Sequence, residues 1–213
     1  AEIILETFGK AAHSANPEKG INAVKKMCKL LGEIDRIQPP IHEQLGKGIL
    51  EVTDIISSPY PGASVVPEYC RATLDRRLLT GETRESILAP IQKLIDSLEK
   101  EDSEFSAKAS FSVGSERCYT GAERFFPGWY YAPEEKYVQK ILQKIREAGY
   151  DPELTQYSFC TNGSHYAGEK GIPTIGLGPS REDLAHMVDE YVELTQLYGA
   201  VECYYAVMEA LVL

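Results

Sequence analysis

Apolar positions recur along the chain with two different periods, and the switches between them outline the elements. Ile3 to Phe8 reads as a short strand, and Asn16-Pro17-Glu18-Lys19-Gly20 is turn chemistry. Ile21, Val24, Cys28 and Leu31 then repeat at helical spacing, with Lys25, Lys26 and Lys29 on the other side, until Pro39-Pro40 ends the unit. Gly48 to Ser57 is rich in β-branched residues and predicts a strand. After the turn Pro59-Tyr60-Pro61-Gly62, Pro67 to Leu79 predicts another, with Tyr69, Arg71, Thr73, Asp75 and Arg77 on one parity. Thr83 is placed to cap a helix carrying Ile87, Leu88, Ile91, Leu94, Ile95 and Leu98. Phe105, Ala107, Ala109, Phe111 and Val113 alternate with polar residues, as a half-buried strand does.

The order β-α-β-β-α-β is the split βαβ, ferredoxin-like pattern. Two helices cover one face of such a sheet and leave the other face and an edge open to pairing. A long aromatic segment at 114–134 follows. Beyond it come a helix with Tyr137, Val138, Ile141, Leu142 and Ile145 stopped by Gly149, and a strand over 153–157. Next are a short helix over 162–170 closed by Gly171, a strand over 173–177, and a long helix from about Asp189 to Leu213. That last helix carries Leu194, Leu197, Tyr198, Val201, Tyr205 and Met208 on one face. This second part reads as α-β-α-β-α, a piece of an α/β layer. The expected domains are 1–116 and 117–213.

Charge and cysteine content narrow the function classes. A net charge of −10 over 213 residues argues against nucleic acid or an anionic membrane as the main partner. No apolar run approaches the length of a membrane span. Cys28, Cys70, Cys118, Cys160 and Cys203 are odd in number and lack C-x-x-C spacing, which points to buried or half-buried free thiols in a reducing cytoplasm. The chain enters strand-like sequence at once from Ala1, as an excised fragment would.

Three blocks carry chemistry. Gly9-Lys10-Ala11-Ala12-His13-Ser14, followed by Gly20-Ile21-Asn22-Ala23, surrounds an imidazole with small residues that allow a sharp turn. Ser64-Val65-Val66-Pro67 runs on to Leu74-Asp75-Arg76-Arg77, where a strand arginine can offer a fork to a carboxylate. A surface ion pair, for instance of Arg76 with a nearby acid, is the plain alternative. Cys160-Thr161-Asn162-Gly163-Ser164, Gly176-Leu177-Gly178-Pro179-Ser180 and Ala185-His186-Met187 bring a histidine to a Gly- and Pro-rich tip before a long helix, a setting that suits a zinc ligand. His42 reads as plain surface, and His165 as packing or substrate-facing.

In this order and spacing the blocks resemble the dinuclear-zinc amidohydrolases of the acetylornithine deacetylase, succinyl-diaminopimelate desuccinylase and glutamate carboxypeptidase family, most closely its selenium-metabolism-linked hydrolase branch. The resemblance implies a ferredoxin-like lid plus the C-terminal portion of a zinc-peptidase α/β catalytic domain, and homodimerisation through the lid. It implies that His13 stabilises the oxyanion in the partner's site and that Arg77 binds the substrate carboxylate, with Ser64 where the family commonly has Asn. Thr161, Asn162 and Gly163 would face substrate, Asn162 standing where Asp is common and Ser164 where Arg is common. His186 would be the last ligand of a site holding two zinc ions, with cobalt or manganese as alternatives. The family's other ligands precede the lid in sequence, so this chain alone is expected to be inactive. The implied reaction is hydrolysis of amide bonds in small N-acyl amino acids or dipeptide-like carboxylates. A non-catalytic dimerisation module is the rival reading, and a regulatory domain that binds amino acids ranks below it.

Overall fold

The computed structural model describes residues 1–114, 121–157 and 159–212. They form two compact units, Ala1–Gly128 and Trp129–Leu213. The boundary expected between residues 116 and 117 lies outside the described residues, as does Cys118.

The first unit is built on four antiparallel strands: β1 (Glu2–Phe8), β2 (Ile49–Ser58), β3 (Tyr69–Arg77) and β4 (Ala107–Phe111), in the order β2-β3-β1-β4. Helix α1 (Ala23–Ile34) links β1 to β2 and helix α2 (Arg84–Glu101) links β3 to β4, which is the ferredoxin-like arrangement. Ile3, Leu5, Cys70, Ala72 and Leu74 point from the sheet into the helices and are at most 1% exposed. Burying each such Ile or Leu is worth roughly 1.5–3 kcal/mol. From the helices come Met27, Leu30, Ile91 and Ile95. β2 and β4 are the sheet edges, and exposed Ile49, Ile55 and Ile56 stand along β2.

Both helices begin where their caps dictate. Asn22 accepts the Lys25 N–H, and Thr83 forms a capping box with Ser86. Because α1 starts only after Asn22, Ile21 lies outside it. The buried stripe is Ala23, Met27, Leu30 and Ile34, and Val24 and Leu31 pack beside it. The expected face through Cys28 is therefore turned by about one residue; Cys28 is exposed, and Lys26 reaches Asp102 at 2.7 Å. At the end of the unit, Gly128 lies flat on residues 78–79: a Cβ there would stand 2.5 Å from the Leu78 carbonyl oxygen.

The second unit pairs α3 (Lys136–Glu147) with α4 (Leu194–Val212). Val138, Ile141, Leu142 and Ile145 of α3 are buried, as expected. The buried residues of α4 are small: Gly199, Ala200, Cys203, Ala206 and Ala210. Leu194, Leu197, Tyr198, Val201, Tyr205 and Met208 do share a side, but they are exposed. The helix also starts at Leu194 instead of about Asp189, because His186 and Asp189 adopt positive φ (64° and 61°), which a right-handed helix excludes.

The strands expected over 153–157 and 173–177 are absent; no ladder forms among the described residues of this unit. A strand exists only in a pair, and these segments do not pair with each other. Carbonyls of residues 172–177 accept tyrosine hydroxyls instead: Tyr131 at Ile172, Tyr137 at Thr174 and Tyr204 at Leu177. The helix expected over 162–170 is a wide turn of π type, Ser164–Glu169, closed by Gly171 at φ 64°.

Candidate functional site

His13 owes its place to two glycines. Gly9 passes so close to the Ile21 carbonyl that no side chain fits, and a Cβ at Gly20 would lie 2.7 Å from the Lys10 carbonyl oxygen. This crossing turns the chain out of β1 and lets Ala12 and His13 pair with Val66 and Val65. Ser14 then donates its N–H to the Ser64 carbonyl at 3.0 Å, so His13 and Ser64 share one exposed corner. Ser64 has φ 57°, a left-handed conformation that Asn adopts more readily than Ser. The Ala15 N–H donates to His13 Nδ1 at 3.1 Å. An acceptor at Nδ1 leaves the neutral ring with its proton on Nε2, a donor on an exposed side chain.

Arg77 stands apart from that corner. Ser64 precedes the Tyr69 end of β3 and Arg77 closes the other end, eight steps on, or about 26 Å at ~3.3 Å per residue. Ser64 and Arg77 of one chain therefore stand at opposite ends of β3. Arg77 is half-exposed and pairs with Asp75 at 2.7 Å. Its neighbour Arg76 is not the surface pair that sequence suggested. It is 4% exposed, bonded to Glu82 and to the carbonyls of Ile49 and Arg77. Burial pulls its guanidinium below the usual arginine range, and Glu82 opposes that shift.

The remaining candidates belong to the second unit. Gly163 donates its N–H to Thr161 Oγ1 at 3.1 Å, while Asn162 is exposed. The Asn162 carbonyl accepts the N–H groups of His165 and Tyr166. Ser164 is buried, with Cys160 Sγ 3.5 Å from its hydroxyl. His186 is exposed at the tip of its loop, its N–H held by Glu190 at 3.0 Å. His165 pairs with Glu169 at 3.2 Å, and His42, half-buried and not plain surface, accepts the N–H groups of Gln44 and Leu45. Cys28 and Cys160 are exposed, against the expectation of buried thiols, while Cys70 and Cys203 are buried.

Whether this chain could hold a metal pair is answered by its donor set. Among the described residues no three His, Cys, Asp or Glu side chains converge. His186 fits as one imidazole ligand and no more, since a catalytic zinc takes about three protein ligands. The described residues therefore do not by themselves make the centre that the sequence resemblance implies. No helix is long and apolar enough to cross a membrane among the described residues.

Residues 1–103 match the peptidase dimerisation domain. An uncharacterised protein of Escherichia coli K12, YgeY, is 33% identical over 214 aligned residues, covering 97% of this chain and 51% of YgeY. Acetylornithine deacetylase of Photorhabdus laumondii is 22% identical over 90% of this chain and 46% of its own length. Aminopeptidase PepT of Bacillus cereus has the same fold, with a TM-score of 0.70 at 19% identity, over 98% of this chain and 51% of that one. The chain thus spans about half the length of the relatives it matches.

Proposed function

From a chain that belongs to the amidohydrolase and peptidase family, with its dimerisation domain at residues 1–103, we propose a hydrolase of amide bonds in small N-acyl amino acids or dipeptide-like carboxylates. The observation that carries the reading is the His13 corner, where a backbone N–H on Nδ1 leaves Nε2–H free to donate. Such a donor suits the oxygen of a tetrahedral intermediate, whose negative charge develops as the amide carbonyl is attacked. Arg77 offers a fork to the substrate carboxylate, displacing Asp75. Thr161, Asn162 and Gly163 present backbone and side-chain polar groups to the substrate. His186 supplies one metal ligand. The other ligands are expected in the half of the relatives' length that this chain does not span, and two zinc ions are the expected occupants. The four cysteines among the described residues are free thiols, which accords with a reducing cytoplasm.

One chain cannot bring His13 to Arg77, but two can. Pairing the β2 edges of two copies antiparallel about a two-fold axis sets the His13 and Ser64 corner of one beside the Arg77 end of the other. Each site then takes Arg77 from its own lid and His13 from the partner. Subunit mixing tests this in the full-length protein. His13→Ala is expected to lower kcat more than it changes KM, and Arg77→Ala to raise KM. An H13A and R77A mixture is expected to recover about a quarter of wild-type activity, because half of the re-formed dimers carry one intact site of two. Failure to recover would show that His13 and Arg77 do not share a site across the dimer. His186→Ala is expected to lose metal; full metal content would remove His186 from the ligand set.

The lack of a converging ligand set among the described residues favours a second reading, a dimerisation module without catalysis. A natural gene product of 23.7 kDa that binds no zinc would establish it.

A further inference from the structure

Three rings of the second unit stand in a row. Trp129 and Tyr131 have centroids 6.2 Å apart, and Tyr131 meets Tyr137 edge-on at 5.6 Å. Each ring touches backbone that belongs to the proposed site or leads to it. A Cβ at Gly163 would lie 2.6 Å from Trp129 Cζ2 and 2.8 Å from Nε1, so the Thr161–Gly163 loop rests directly on the edge of the indole. Gly163 has φ −54° and ψ −29°, ordinary helical values open to any residue. Glycine is needed there for space and not for conformation, and the space is taken by Trp129. Tyr131 donates its hydroxyl to the Ile172 carbonyl at 2.9 Å, and Tyr137 donates to Thr174 at 3.4 Å. Ile172 in turn donates its N–H to the Tyr166 carbonyl at 2.9 Å. The loop and the segment running on toward His186 are thereby referenced to one aromatic row.

We propose that Trp129 is a positioning residue of the site, its indole edge setting the height of the Thr161–Gly163 backbone while Tyr131 holds the neighbouring segment. This deepens the reading given above and rests on Thr161–Gly163 facing the substrate. Aromatic side chains suit the task because they offer broad rigid contact with few rotatable bonds. A loop that sinks by ~1 Å when the ring is removed binds substrate less well, on the order of tenfold or more.

The test uses the full-length protein labelled with 5-fluorotryptophan, the Trp129 fluorine resonance being assigned by its loss in W129F. N-acetyl-L-ornithine is the probe. G163A is expected to move the Trp129 resonance with no ligand present, and the probe to move it in the wild type. W129A is expected to raise KM about tenfold with kcat within about threefold, and W129F to fall between W129A and wild type. A resonance unmoved by G163A overturns the proposal, as does a W129A enzyme with wild-type KM. If the wild type hydrolyses no N-acyl amino acid, the functional reading falls by itself. The ligand-free G163A comparison then still decides whether the indole sets the loop.

Discussion

At the scale of single residues, the strongest local constraint is one that serves no chemistry directly. Arg76 sits buried on the helix side of β3 and ties the start of β2, the end of β3 and the 79–82 turn through Glu82, which also accepts the Leu79 N–H at 2.7 Å. Removing Glu82 leaves a buried guanidinium without its counter-charge. Glu82→Ala is therefore expected to destabilise the first unit by about 3 kcal/mol. Chemical denaturation checks this, and a loss below about 1 kcal/mol would mean the pair is solvated. The same residue shows where sequence stops short. Parity groups Arg71, Thr73, Asp75 and Arg77, and sequence alone leaves Arg76 as one side of a surface ion pair, whereas the structure buries it on the helix side. Only the structure names Glu82 as its partner. His13 was legible through the small residues around it, because Gly9 and Gly20 exclude any side chain. Trp129 was not, because nothing local in sequence relates residue 129 to residue 163.

Elements differ in how much of their environment they carry. The strands and helices of the first unit were readable because each contains its own period and its own caps, down to Thr83. α1 was readable as a helix but its buried face was not, since the Asn22 cap sets the start and shifts the stripe. In α4 a hydrophobicity ranking favours leucines and tyrosines over alanines, whereas close approach to α3 selects the small side chains. The segments at 153–157 and 173–177 have strand-like composition, but pairing is a property of two chains of backbone and cannot be read from one. Edge β2 leads to a prediction at this scale. Ile55 and Ile56 are 47% and 48% exposed, so a double substitution to lysine adds edge charge at little cost to the monomer. I55K/I56K is expected to shift sedimentation of the full-length protein from dimer to monomer without lowering its melting temperature. A surviving dimer would move the interface to β4 or the helices.

For the whole molecule, Tyr69 in the first unit and Tyr137 in the second resist ionisation most among the described residues, with Tyr150 and Tyr157 also raised. Burial, with help from the Glu6 carboxylate 2.7 Å away, pushes Tyr69 up to about 12. Burial, followed by Tyr131 and Glu135, does the same for Tyr137. A raised folded-state pKa favours the protonated fold, so this stabilisation is complete below the unfolded value of about 10 and is lost as pH climbs through about 12. Stability is expected to fall across that window in both units. Tyr69→Phe should flatten the fall in the first unit alone and Tyr137→Phe in the second alone, as amide exchange resolved by residue can show. If either substitution flattened both, the two units would unfold as one.

The inverted packing of α4 has a practical consequence. Its outward row of leucines, tyrosines and Met208 faces water in a chain of this length, a greasy stripe of the kind that glues molecules together nonspecifically. Purified at this length, the polypeptide should be salt-sensitive and slow to leave hydrophobic resins. Trimming that stripe to polar residues would improve handling while leaving the α3 contact, made by Cys203, Ala206 and Ala210, undisturbed.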